Sequence, residues 1–160
     1  MSVFFRLSCV LVLGLAACRS TPSPKTAASQ GADAKAPALL HLRIVSSADA
    51  NGGTALHVLI RKTTKADYPR QEYEDVAASL HLESDPDTLE WLVVSPAGTK
   101  DVWVARPSNA EVGVYFLFSD PRGRWKHLVE GASGHQVRFD VGRDGIRSTR
   151  GLSAKLGSDR

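Results

Sequence analysis

Five histidines and two clusters of carboxylates are the residues of this 160-residue chain whose types could do chemistry. His41, His57, His81, His127 and His135 are scattered, with no H-E-x-x-H or similar close pair. His41 and His57 sit at polar-face positions of two apparent strands. If those strands paired, the two rings could share a metal, but no third ligand follows from the sequence. Solvated or singly hydrogen-bonded histidines are the simpler reading. Asp85, Asp87 and Glu90 form one acidic cluster, and Glu72, Glu74 and Asp75 another. A glycosidase needs two carboxyls held about 5–10 Å apart across a cleft. One of these clusters falls in a loop and the other on the first turn of a helix, where solvation and the helix dipole account for them. No G-x-S-x-G and no phosphate-cradling glycine loop occurs. The expectation is a protein with no catalytic residues, no metal and no cofactor.

The cysteines carry a different chemistry. Residues 1–18 place one positive charge, Arg6, before an apolar run from Leu7 to Leu15, then Ala16, Ala17 and Cys18. That layout is a secretory signal peptide, too short to cross a bilayer as a helix. Leu15-Ala16-Ala17-Cys18 resembles the bacterial lipobox. The resemblance implies that Cys18 is acylated on sulfur, becomes the first residue of the mature chain and is acylated again on its amine. An ordinary signal peptide with a chance cysteine is the plainer alternative. One acyl chain holds a protein marginally and two or more hold it stably, at roughly 0.8 kcal/mol per buried methylene. Arg19 stands where an aspartate would signal inner-membrane retention in lipoproteins, which favours the outer membrane, facing the periplasm.

Charge excludes a further class. The chain has 20 Lys+Arg and 17 Asp+Glu; setting aside Arg6, Arg19, Lys25, Lys35 and Asp33 leaves 16 of each sign in the body. A neutral body lacks the basic face that displaces counterions from nucleic acid, so no nucleic-acid partner is expected. Cys9 departs with the signal peptide, and with Cys18 lipidated the body has no thiol for a disulfide or a zinc site.

These residues have to be positioned by a short chain of β elements. Residues 19–37 are rich in Ser, Thr, Pro, Ala and Gly and read as a flexible leash of about 25 Å reach. From Leu39 apolar and polar residues alternate, as on a half-buried strand. Strands are predicted over Leu40–Ile44, Leu56–Arg61, Thr88–Val94, Asp101–Arg106, Val112–Phe118, Trp125–Val129 and Gln136–Val141. The run Val112–Phe118, apolar on both faces, should be central. Tyr73, Val76, Ala77 and Leu80 share one helical stripe, and Pro69 suits a first turn, so a short helix is predicted at about 70–79. Seven strands with frequent turn signals and one helix describe a mainly β, two-sheet sandwich over residues 38–150. The last residues, 151–160, read as a disordered tail.

Recognition on such a scaffold belongs to its loops. Ser46–Thr54 is longer than a tight hairpin needs and should project from one end. A rival reading places a small ligand or glycan on an exposed Trp91 or Trp103.

The order of these features resembles the TssJ family of type VI secretion lipoproteins. The resembling pieces are the lipobox, the leash, a loop with Asn51 and Gly53, and LHVLIR from Leu56 to Arg61. Asp67-Tyr68, Gln71 to Ala77, the Pro96-Ala97-Gly98 turn and the run from Gly113 to Trp125 continue the pattern. Ala97 interrupting the Pro-Gly pair and Arg61 in place of an aromatic depart from it. The resemblance implies a transthyretin-like sandwich with one added helix. It also implies an outer-membrane lipoprotein that grips the periplasmic C-terminal domain of the inner-membrane protein TssM. Carried over, it places Ala48, Asp49, Ala50, Asn51, Gly52 and Gly53 at the contact, with the Ser119–Arg124 turn, including Asp120 and Arg122, as a secondary candidate.

Overall fold

The computed structural model describes residues 38–80, 85–131 and 134–152. The signal peptide, Cys18 and the leash lie outside the described residues, as do 153–160 of the expected tail.

Eight strands form two four-stranded sheets: β1 (Leu39–Ser46), β2 (Leu56–Thr63), β3 (Thr88–Val94), β4 (Thr99–Ala105), β5 (Glu111–Leu117), β6 (Lys126–Val129), β7 (Gln136–Val141) and β8 (Ile146–Leu152). The first sheet runs β4-β1-β7-β8 and the second β3-β2-β5-β6. All neighbours are antiparallel except β1 and β7. Alternation puts Leu40, Leu42 and Ile44 of β1 and Val137, Phe139 and Val141 of β7 on the inner face of one sheet. Leu56, Val58 and Ile60 of β2 meet them from the other sheet with Val112, Val114 and Phe116 of β5.

The expectation for β5 holds: it lies inside its sheet and is buried on both faces. Its second face, with Leu59 of β2, is covered by α1 (Tyr73–Ser79) through Val76, Tyr73, Ala77 and Leu80. The helix is shorter than predicted. Pro69 opens a separate 3-10 turn, Tyr68–Arg70, and Gln71 and Glu72 are extended before α1 begins. Gln71 is held there by side-chain bonds to the Tyr115 hydroxyl and Thr63.

The sequence reading missed two features. β8 pairs with β7, which extends the sandwich past Val141 to Leu152 and takes Gly151 and Leu152 out of the expected tail. Its polar run Arg147-Ser148-Thr149-Arg150 suits an edge strand and hides the alternation. The first two strands also do not pair: β1 and β2 belong to opposite sheets, joined by a loop that crosses between them. His41 and His57 are therefore not a metal pair. His41 bonds Asp101 at 2.8 Å and stacks on Trp103, while His57 lies beside Trp91.

Candidate functional site

Strand polarity gathers four connections at one end of the sandwich: residues 47–55, 95–98, 118–125 and 142–145. Leu39, where the preceding chain comes in, is at the opposite end of β1. Seven strand steps separate the two ends, about 24 Å.

The β1–β2 loop is built on a left-handed turn. Asn51 has φ 49°, Gly52 64° and Gly53 84°, a run that only Gly and Asn adopt readily. The Asn51 amide donates to Thr54 Oγ1 (3.0 Å) and to the Ala55 carbonyl (2.7 Å). Its Oδ1 accepts from the Ser119 backbone N–H at 2.7 Å. Asn51 thus clamps the β1–β2 loop to the β5–β6 turn, which lies 68 residues away in sequence. The β7–β8 loop is tied in as well: Arg122 and Gly123 N–H donate to the Asp144 carbonyl, and Asn51 N–H to that of Gly142.

The expected contact residues divide accordingly. Ala50 and Asn51 are buried, 1% and 6% exposed, and act as supports beneath the surface. Ala48, Asp49, Gly52 and Gly53 are exposed, as are Asp120 and Arg122. Asp49 pairs with Arg147 at 3.1 Å and accepts from the Ser47 hydroxyl at 2.6 Å; that hydrogen bond, aided by Arg147, holds its carboxyl below the usual carboxylate range. Asp120 and Arg122 pair with each other at 2.8 Å. A depression of about 380 Å³ lies between Asn51, Gly52, Ser119, Asp120, Arg122, Arg143 and Asp144. Both sequence-predicted segments reach it. Arg143 and Asp144 were missed, although the Gly142-Arg143-Asp144-Gly145 run is a legible turn once a following strand is granted.

The remaining candidates sit elsewhere. Trp91 and Trp103 are 56% and 60% exposed on the outer faces of edge strands. Neither lines the depression at the loop end or the larger hollow of about 810 Å³ at the other end, beside Arg106 and Glu111. Both rings are exposed, as the ligand reading supposes, but no cleft lined by either supports it. Asp85 is occupied by Arg61 at 2.9 Å and by Thr88, and Glu74 and Asp75 face solvent on the first turn of α1. Among the described residues, no three of His, Cys, Asp and Glu gather as a metal site. Cys18 lies outside the described residues.

Solved structures share this fold. The T6SS lipoprotein TssJ1 from Pseudomonas aeruginosa superposes with a TM-score of 0.58 at 12% identity, over 74% of this chain and 98% of that one. Lip of Serratia marcescens, a membrane-bound component of the Type VI Secretion System, gives 0.56 at 12% identity, over 74% and 99%. No curated protein sequence matches the chain. The sequence model of the IglE N-terminal domain matches residues 57–141, from β2 through β7. The chain therefore belongs to the family of the IglE N-terminal domain, a type VI secretion lipoprotein family, and carries it on a TssJ-like transthyretin-type sandwich.

Proposed function

We propose that this chain is a non-enzymatic lipoprotein of a type VI secretion membrane complex, fixed in the outer membrane by lipid on Cys18 and facing the periplasm. Its loop end docks the periplasmic C-terminal domain of a TssM-like inner-membrane partner. The observation that carries this reading is the polarity of β1. The chain comes in at Leu39, and the converging loops lie at the other end of the same strand. A body tethered at one end then offers a rigid, clamped surface at the other. The exposed Asp120–Arg122 pair and Arg143 supply polar contacts around a shallow hollow. Its lining is polar and charged, without the apolar and aromatic side chains that dominate small-molecule pockets.

The test spares the supports and changes what is exposed. Ala48→Arg combined with Asp120→Arg and Arg122→Glu leaves Asn51 and its bonds in place. Co-purification of the partner's periplasmic domain is expected to fall at least tenfold, with an unchanged urea midpoint. Undiminished capture by this variant would remove the loop end from the interface.

A further inference from the structure

The outer face of the β4-β1-β7-β8 sheet carries two exposed apolar side chains that neither the core nor the loop end uses. Leu39 is 52% exposed and Trp103 60%. Leu39 is paired with Ala105, also exposed, and His41 with Trp103, so these residues form a patch at the start of β1. The Trp103 ring is braced by His41, stacked at 4.1 Å between centroids, and His41 is held by Asp101. One pleat repeat along, about 7 Å away, register aligns Asp101, Arg43, Arg138 and Arg150 in a row across all four strands. With Asp140, which holds Arg138 at 2.9 Å, the face has three arginines against two aspartates. Arg150, exposed on the outermost strand, forms no salt bridge among the described residues, although its charge acts on Asp140.

We infer that this face rests on a lipid surface, with Trp103 and Leu39 at the acyl boundary and the arginine row among headgroup phosphates. Two observations select lipid as the occupant. The 20 residues from Cys18 to Pro37 lead through Ala38 into Leu39, so a bilayer holding Cys18 is within reach of this patch. The succession along the strand, aromatic and apolar first and arginine one row further, also matches the order of layers at a membrane interface. The inference rests on the lipid anchor proposed above and adds an orientation: the domain lies tilted on this sheet, with its loop end projecting along the membrane and away from it.

The experiment uses the mature lipidated protein, beginning at Cys18, in vesicles of phosphatidylethanolamine and phosphatidylglycerol with brominated acyl chains, which quench tryptophan at the acyl boundary. Quenching is expected. Trp103→Phe should abolish most of it, while Trp91→Phe, altering the other sheet, should leave it intact. Replacing phosphatidylglycerol by phosphatidylcholine should weaken it, and Arg150→Glu should do the same. Protein that floats with vesicles but shows no Trp103-dependent quenching would overturn the inference and leave the anchor standing. Protein that fails to float would overturn the anchor and the inference together. Trp103 shielded only when the partner's periplasmic domain is added would assign the face to protein and overturn the lipid contact.

Discussion

Among the six loop residues that the family resemblance places at a partner contact, Asn51 is a buried support. Its left-handed backbone turns the loop, and its side chain closes three hydrogen bonds, one of them across the sandwich end. Asn51→Ala is expected to destabilise by about 3 kcal/mol, from the Ser119 N–H left without its acceptor and the left-handed strain on alanine. Asn51→Gly keeps the turn and loses only the bonds, so it should cost about 1 kcal/mol less; urea denaturation of both variants separates the two terms. Ala97 presents the opposite case. It holds φ 56° in the turn closed by Gly98 N–H on the Ser95 carbonyl (3.0 Å), a conformation suited to glycine. Ala97→Gly should relieve that strain and, after glycine's entropy is subtracted, gain about 0.5–1 kcal/mol, visible as a rise of a few degrees in Tm. An asparagine followed by two glycines is readable as a turn from sequence. That its amide reaches Ser119 is not, because nothing local marks a contact between segments so far apart in the chain.

At the scale of elements, the segment from Tyr68 to α1 is fastened to its sheet by one lysine and three tyrosines. The Lys126 ammonium donates to the carbonyls of Tyr68 (2.9 Å) and Gln71 (2.7 Å) and lies about 5 Å from the rings of Tyr68 and Trp125. Lys126→Met keeps the stem and removes these bonds, with an expected loss of about 2 kcal/mol in urea denaturation. Burial raises the pKa of Tyr68 from 10.0 to about 12 and raises those of Tyr73 and Tyr115 as well. A raised folded-state value means the stabilising contribution is complete below pH 10 and is lost as pH climbs towards 12. Burial lowers the Lys126 pKa, which acts in the opposite sense, but it is one group against three. Tyrosine absorbance and circular dichroism should therefore show the cluster ionising together with loss of structure, and Tyr68→Phe should push that transition to higher pH. The helix itself was legible from its stripe of Tyr73, Val76, Ala77 and Leu80, whereas its start was not. Pro69 signals the beginning of a helical segment, and only the Lys126 and Tyr115 contacts show that the segment breaks at Gln71. β8 escaped for a related reason: an edge strand facing solvent carries Arg, Ser and Thr, and its one clear inward residue near the turn, Ile146, makes no pattern alone.

At the scale of the molecule, period two in the sequence reveals two buried faces but not which strands share a sheet. The pairing of β1 with β7 rather than β2 depends on contacts some 95 residues apart, such as Leu42 with Val137. What then unites the sheets is the core seam. Phe116 of one sheet meets Phe139 of the other at 5.2 Å between centroids, and His127 of β6 meets the same Phe139 edge-on at 5.4 Å. Phe139→Ala should cost about 4 kcal/mol, a large fraction of a domain's usual 5–15 kcal/mol. Because β1, β7 and β8 lie on one side of that seam and β2, β5 and β6 on the other, the loop end cannot survive its opening. Partner capture by this variant should therefore fall in step with unfolding along a urea series, whereas the exposed-loop substitutions proposed above are expected to lose capture without unfolding. An acid response is expected at the seam. Burial, with Arg124 adding to it, holds the His127 pKa below its usual 6.5. A depressed folded-state value for histidine makes its contribution to stability complete above pH 6.5 and lost as pH falls through the lower folded value. His127→Phe, which retains a ring against Phe139, should flatten the decline in urea midpoint over that interval. A decline as steep over that interval as in the unaltered protein would remove His127 from the acid response; Asp49 and Asp140, whose carboxyls hydrogen bonds hold below the usual 3.8, contribute above that value and lose their contribution only at more acidic pH.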